Sequence, residues 1–219
     1  ASDGQLTPSE LVQRAENRQV HFLAITDHDT IDGLAEAAQY IQDNNLKLQL
    51  INGIEVTTNW LNHEIHVVGV NIDPTYSALT ELIERQKEKR EERAIEMGRR
   101  LAKANIPDVY EGAKALAGEG AITRAHFARY MVDIGVAPTF PKIFDKYLSR
   151  GNTGYVPHDW VDLSDAIEVI QAAGGQAVLA HPDHYKLSNK WLRKLFVNFK
   201  DAGGDAMEVA MGQQSPQMR

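Results

Sequence analysis

Short apolar runs and helical periods alternate along the first third of the chain. Residues 6–17 carry a helical period opened by Thr7 as cap, Pro8 in the first turn and Glu10 as capping-box partner. The run at 22–26 reads as a strand, 31–44 as a helix, and 48–56 and 64–70 as two more strands. This alternation predicts an α/β protein with a largely parallel sheet, open or closed. After Asp73-Pro74 the texture changes. Residues 77–104 form one long helical pattern with Leu79, Leu82, Ile83, Ile95, Met97 and Leu101 as its apolar set. Further helical stretches follow at 109–117, 124–135 and 141–150, and strand-like runs are scarce until Tyr155. Alternation then resumes: helix 163–173, strand 176–180, helix 187–202, strand 206–210. The predicted organisation is 1–74 as the first part of an α/β domain, 75–155 as a helical insertion and 156–219 as the second part.

Four of the apolar runs reach a residue that binds divalent metals. The first runs into Thr26-Asp27-His28-Asp29, the second into Gly53-Ile54-Glu55, the third carries His66, and the last ends in His181-Pro182. In a parallel barrel the C-terminal strand ends share a face, where catalytic residues collect. The pattern therefore predicts a metal rim.

Composition narrows the chemistry. With 219 residues, 43% hydrophobic and 24% charged, the chain suits one large domain or a domain with an insertion. Zero cysteines exclude disulfides and thiolate ligands, which leaves His and carboxylate to hold Mn, Mg, Fe or Zn. No stretch approaches the ~18 apolar residues of a membrane span, and a cytoplasmic location without a membrane is expected. A formal net charge of −7 argues against a general nucleic-acid binder but not against a phosphoesterase. There is no cysteine nucleophile, Gly-x-Ser-x-Gly elbow or P-loop. Beginning Ala1-Ser2-Asp3-Gly4 and ending soon after Gln213-Gln214-Ser215-Pro216, the chain reads as a piece of a longer protein.

Each candidate has an ordinary alternative. His28 is favoured as a ligand with Asp27 orienting it, while Asp29 or Thr30 would cap the helix near Ile31. Glu55 at a strand end is costly to bury unless paired or metal-bound, and an Arg partner would explain it equally well. On a strand Glu64, His66 and Val68 share one face, so His66 is preferred to His63, which belongs to the rim or solvent. His184 lies in a polar loop with a surface role expected. Arg90 and Arg93 are one helical turn apart and, with Arg124 and Arg150, could clamp a phosphate, although each alone fits a salt bridge better.

Taken in order, Ser2-Asp3-Gly4, Ile25-Thr26-Asp27-His28-Asp29-Thr30, Gly53-Ile54-Glu55-Val56, His66-Val67-Val68-Gly69 and Ala180-His181-Pro182 resemble the motifs of the polymerase-and-histidinol-phosphatase (PHP) superfamily. Thr123-Arg124-Ala125-His126-Phe127-Ala128-Arg129, Tyr147-Leu148-Ser149-Arg150-Gly151, Gly154-Tyr155-Val156-Pro157 and Asp205-Ala206-Met207-Glu208-Val209 resemble its bacterial 3′,5′-nucleoside bisphosphate phosphatase and 5′–3′ exoribonuclease branch. The resemblance implies a distorted (β/α)7 barrel of PHP type with a helical insertion subdomain, incomplete in this chain. It implies three divalent ions, manganese first and Mg, Fe or Zn next. Glu55, His66 and His181 would share one ion, Glu55 would bridge to a second, and Asp3 and His28 would serve a third. The insertion would act as a substrate lid whose Arg90, Arg93, Arg124 and Arg150 hold phosphates. An opening His-x-His motif is expected ahead of Ala1 and a closing Ser-Asp-x-His-type motif beyond Arg219. Asp183-His184 stands where relatives tend to carry Gly-Arg. The implied reaction removes the 3′-phosphate of 3′,5′-bisphosphonucleosides such as 3′-phosphoadenosine 5′-phosphate, and cleaves short RNA from its 5′ end. The alternatives are a phosphatase for another monoester such as histidinol phosphate, or a non-catalytic metal-binding or interaction domain. Partners are a nucleotide or short RNA substrate, with no stable protein partner implied.

Overall fold

A computed structural model describes residues 6–118, 120–157 and 159–209. The described chain is a mixed α/β fold, in the order α1 (Pro8–Asn17), β1 (Phe22–Ile25), α2 (Gly33–Asp43), β2 (Gln49–Trp60), β3 (His63–Val70) and α3 (Ser77–Lys103). There follow α4 (Val109–Ala117), α5 (Arg124–Asp133) and α6 (Phe140–Ile143), which passes into a π-helical turn (Phe144–Leu148). The order closes with β4 (Val161–Asp162), α7 (Leu163–Ala172), β5 (Gln176–Leu179), α8 (Asn189–Asp201) and β6 (Ala206–Met207). Helix α1 starts as its sequence dictates: Thr7 accepts from Glu10 N, Glu10 returns the bond to Thr7 N, and Pro8 stands at the first turn. Among the described residues no helix is long and apolar enough to cross a membrane.

The chain divides into two compact units, 6–83 with 160–209 and Glu84–Asp159, the first division falling inside α3. The first unit holds the sheet, in the order β1-β2-β3-β5-β6 with β4 beside β2, and the sheet is not closed among the described residues. β1–β2, β2–β4 and β5–β6 pair in parallel, as a largely parallel sheet requires, whereas β2–β3 and β3–β5 are antiparallel, so β3 alone among the described strands runs against the rest. The cause is the two-residue link Leu61-Asn62. Both residues have positive φ (49° and 64°), the requirement of a type I′ hairpin turn, and two residues cannot return a strand in parallel. β2 is also longer than expected, reaching Trp60 rather than stopping at Val56.

Alternation gives β2 and β3 two unlike faces. Ile54, Val56, Trp60, Ile65 and Val67 enter a core shared with Leu79, Leu82, Ile167, Ile170, Leu179, Leu195 and Phe199. Fully burying each such aliphatic contributes roughly 1.5–3 kcal/mol. The register pairs Glu55 with Val68, Thr57 with His66 and Asn59 with Glu64, so these six share the opposite face. Gly53 permits this packing: a Cβ there would lie 2.9 Å from Ile25 O and 3.1 Å from Gly69 O, on the strands to either side.

The second unit is helical, with its own core of Met97, Leu101, Val109, Phe127, Met131, Ile143 and Leu148. Within it Lys114 pairs with Glu91, and Arg100 donates to Tyr155 O.

Candidate metal centre

Glu55 and His66 stand in the interiors of β2 and β3, not at strand ends, and meet because antiparallel pairing puts them on one face. The strand-end rim expected from sequence is corrected for these two residues. His28 arrives differently. Beyond β1 the chain keeps to the edge of β2, with Glu55 N donating to Asp27 O (3.0 Å) and Asp29 N to Glu55 O (2.9 Å), making a parallel bridge between His28 and Glu55. His181 follows β5 with φ 29° and ψ 56°. Continued extension would put residue 181 on the core face with Leu179, and the positive φ breaks that alternation. A non-glycine residue in this region carries strain that concentrates at functional sites.

The outcome is a tight triangle of donor atoms. His66 Nδ1 lies 2.9 Å from Glu55 Oε1, His181 Nε2 lies 3.1 Å from the same oxygen, and the two nitrogens are 3.1 Å apart. Ligands at ~2.0–2.2 Å from one ion stand roughly 3.3 Å from each other, so the triangle fits a single divalent metal after slight opening. The second carboxylate oxygen, Oε2, lies 3.8 Å from His28 Nδ1. Glu55 thus offers one oxygen to each side, and His28, Glu55 and His66 form a group able to hold an ion. His181 Nδ1 is buried without a hydrogen-bond partner among the described residues, leaving that ring capacity for a further ligand or acceptor.

Electrostatics fit the same reading. Burial pushes the Glu55 carboxyl up, but hydrogen bonds from His181 and His66 outweigh it and hold the group well below the usual carboxylate range. Burial pushes His66 down, yet its bonds to Glu55 and Glu64 raise it to about 9. In the metal-free protein a proton therefore holds this cluster together, and a metal would replace it.

Several supporting groups escaped the sequence. Asp29 is fully buried, and its Oδ1 accepts from Thr57 N at 2.8 Å, replacing a strand partner where the chain turns away at φ 51°. It does not cap α2, which begins at Gly33 after Asp32. Tyr185 Oη accepts from His66 N at 2.8 Å, and its ring packs 5.3 Å from that of His181. Glu208 Oε2 accepts from His181 N at 2.7 Å. Glu64 Oε1 stands 3.8 Å from His66 Nε2, while its Oε2 accepts from Trp160 Nε1 at 3.1 Å. A backbone strained at His181, and loops that bond to strand amides, leave no periodicity to read.

The remaining candidates are dispersed. Asp3 lies outside the described residues. Asp27 meets β2 through its carbonyl, with its carboxylate beside Gly33. His184 is exposed but stacks on His181 at 5.3 Å, and His63 packs against Trp60 and Trp191 rather than facing solvent alone. Arg90, Arg93, Arg124 and Arg150 all belong to the second unit. There Arg90 is buried, Arg93 Nε donates to Val156 O at 3.1 Å, Arg124 opens α5 and Arg150 is exposed.

Known proteins share this arrangement of sequence. The PHP domain family matches residues 1–177. The 5′-3′ exoribonuclease Rnm of Escherichia coli (strain K12) is 52% identical over 219 residues, which is 100% of this chain and 75% of that protein. The 3′,5′-nucleoside bisphosphate phosphatase of Chromobacterium violaceum is 42% identical over 215 residues, 98% of this chain and 75% of that protein. A solved amidohydrolase from Chromobacterium violaceum, with bound sulfate and no metal, superposes with a TM-score of 0.92 at 41% identity, covering 99% of this chain and 76% of that one.

Proposed function

The chain belongs to the PHP domain family, and from that premise we propose that it is a phosphoesterase removing the 3′-phosphate of 3′,5′-bisphosphonucleosides and cutting short RNA from the 5′ end. The observation that carries this reading is the triangle of Glu55 Oε1, His66 Nδ1 and His181 Nε2, on a chain whose relatives are named for these two activities. Glu55, His66 and His181 would hold one divalent ion, and Glu55 Oε2 with His28 would contribute to others, to three in all with Asp3. Manganese is the first choice because the family resemblance implies it, with Mg, Fe or Zn next, and a donor set of imidazole and carboxylate accepts all four. By the same reading, the open sheet is the larger part of a distorted (β/α)7 barrel and the second unit is a lid.

A bound divalent metal lowers the pKa of water toward ~7 and offsets charge on the phosphoryl oxygens. The chain's own groups set the rest. Glu55, kept ionised by its neighbours, supplies fixed negative charge at pH 7 and would offer one oxygen on the side of His66 and His181 and the other on the side of His28. Glu64 and Tyr185 fix the ring and strand of His66, and Glu208 fixes the backbone of His181. Water adds to phosphorus as the bond to the 3′-oxygen breaks, and the proton that the water gives up is balanced by one taken up by that oxygen, which leaves as a hydroxyl. In short RNA the same bond belongs to a phosphodiester, which accounts for two activities at one site. Arg90, Arg93, Arg124 and Arg150 are proposed phosphate contacts, tested one by one as Ala variants through the KM for bisphosphate.

The test is manganese-dependent phosphate release by the full-length protein from a 3′,5′-bisphosphonucleoside. Release that stops with chelator and returns with manganese is expected. No release, alongside turnover of histidinol phosphate, would overturn the substrate assignment.

A further inference from the structure

Residues 186–200 depart from the acidic balance of the chain. They contain Lys186, Lys190, Arg193, Lys194 and Lys200 and no carboxylate, in a protein of formal net charge −7. Most of this stretch is α8, whose Leu195 and Phe199 are buried in the core beneath the sheet. Lys190, Arg193 and Lys194 are exposed.

An aromatic group stands among these cations. Trp60 and Trp160 are 6% and 4% exposed, as large apolar rings ordinarily are, but Trp191 is 40% exposed. It is also held in place. Its ring lies 5.9 Å from Trp60 at 84° and 5.7 Å from His63, both at the turn end of the β2–β3 hairpin. Trp60 is fixed in turn, because its Nε1 donates to Asn198 Oδ1 on α8 at 3.1 Å. Lys194 Nζ sits 5.0 Å from the centre of the Trp191 ring. A pre-positioned open indole flanked by lysine and arginine is the arrangement that binds single-stranded nucleic acid, with bases stacking on the ring and cations meeting the phosphates.

The aromatic group lies at the turn end of the hairpin that carries the metal centre. β3 holds both His66 and His63, three residues or roughly 10 Å apart but on opposite faces of the strand, so an RNA reaching both passes around that turn end. From His181 the chain passes His184, stacked on His181, and reaches Trp191 in the first turn of α8. The alternatives fit less well. A membrane surface would need a broad exposed apolar face, and the apolar side of α8 is spent on the core.

We infer that Trp191, backed by Trp60 and His63 and flanked by Lys190, Arg193 and Lys194, is a binding platform for single-stranded RNA extending beyond the nucleotide being hydrolysed. The inference rests on the RNA half of the proposed function, and it separates the two substrates. A bisphosphonucleoside has one base and two phosphates, all engaged at the reacting centre, whereas an oligonucleotide has further bases and phosphates to place on the platform and gains affinity there.

The experiment is binding of a 5′-phosphorylated, fluorescently labelled octaribonucleotide to the full-length protein in chelator, so that no turnover occurs. Trp191→Ala should weaken binding roughly tenfold, within the range for losing one base stack, and Trp191→Phe should restore most of it. Lys190→Glu with Lys194→Glu should weaken binding and flatten the slope of log affinity against log salt by about 0.7 for each phosphate no longer neutralised. Phosphate release from a bisphosphonucleoside with manganese should not change in any of these variants. Wild-type protein that does not bind the oligonucleotide, Trp191→Ala protein that binds it equally well, or a parallel loss of bisphosphonucleoside turnover would each overturn the platform. Trp191-dependent sedimentation with anionic vesicles, without RNA binding, would also overturn it, in favour of a lipid surface. If wild-type protein with manganese hydrolyses neither substrate, the proposed reaction fails, while the binding comparison still decides the platform.

Discussion

On one face of the β2–β3 hairpin, Ile54, Val56, Ile65 and Val67 are fully buried; on the other, one residue out of step, stand Glu55, Thr57, Glu64 and His66. The two sets share a backbone and a register, yet answer to different physics. The apolar face gains from every methylene removed from water. Burial instead works against the charged groups of the polar face, which persist because hydrogen bonds and opposite charges offset that cost. Strand alternation lets this protein keep chemistry within one residue of its core. If the faces are independent, substitutions on one should cost activity and on the other stability.

The largest effect belongs to Glu55→Ala. It removes the atom common to His66, His181 and His28, so activity should fall by more than the ~10–100-fold that loss of an outer partner costs. Circular dichroism should show the fold retained, with a lower unfolding midpoint in the metal-free protein because the stabilising contact with His66 is gone. Unchanged turnover would remove Glu55 from the metal centre. Ile65→Ala tests the other face: it should cost ~2–5 kcal/mol in denaturant unfolding, with the turnover of the folded fraction close to wild type. A specific activity that falls in step with stability would mean the faces are coupled through the backbone.

Asp29→Ala falls between these cases. Its carboxylate is fully buried and satisfies Thr57 N, so removal leaves a buried amide without its acceptor, at about 1–3 kcal/mol. Asp29→Asn keeps an acceptor oxygen and should recover most of the loss in the same unfolding measurement.

The pH response sharpens the contrast. His66 is raised from 6.5 to about 9 in the folded, metal-free protein, so its contribution is complete below ~6.5 and fades as pH rises through about 9. Glu55 is lowered from 4.5, so its contribution is complete above ~4.5 and fades as pH falls through its folded value. Metal-free protein should therefore be most stable between about pH 4.5 and 6.5 and lose at most ~1.4 kcal/mol per pH unit above that window. Metal affinity should move oppositely, rising toward pH 9 as the His66 proton becomes easier to displace. A metal affinity independent of pH from 7 to 9 would show that His66 carries no proton to lose.

Much of this was legible in the sequence, for uneven reasons. Thr7, Pro8 and Glu10 mark the start of α1 because capping is local, and the apolar period of α3 survives its dense charges except at Ile95, which is half exposed. His28, Glu55, His66 and His181 stand out as metal-binding types beside apolar runs, and the structure brings all four together. The chain groups them by a geometry other than the one their positions in the sequence suggest. Strand ends of a parallel barrel were expected, whereas Glu55 and His66 meet by register across an antiparallel hairpin. The two-residue link Leu61-Asn62 holds that information, but it is hidden when β2 is taken to stop at Val56. Asp29 and Tyr185 could not be read at all, since each acts on a backbone amide far away in the chain.

Tyr185→Phe carries the smallest effect and tests the comparison most finely. Where β5 has ended, the Tyr185 hydroxyl takes the place of a strand carbonyl and accepts from His66 N, while the ring lies against His181. Burial raises the hydroxyl above the ordinary tyrosine range, so it stays protonated throughout the working pH range. Removing one neutral hydrogen bond should lower stability by about 1 kcal/mol. If the bond serves only the strand, metal affinity by calorimetry will be unchanged and the two faces are independent. Because the amide belongs to a residue whose ring is one corner of the triangle, the expected result is a loss of affinity of up to ~10-fold, as for other groups that orient ligands. That outcome would put the coupling where a loop side chain, rather than a strand, completes the hydrogen bonding of β3.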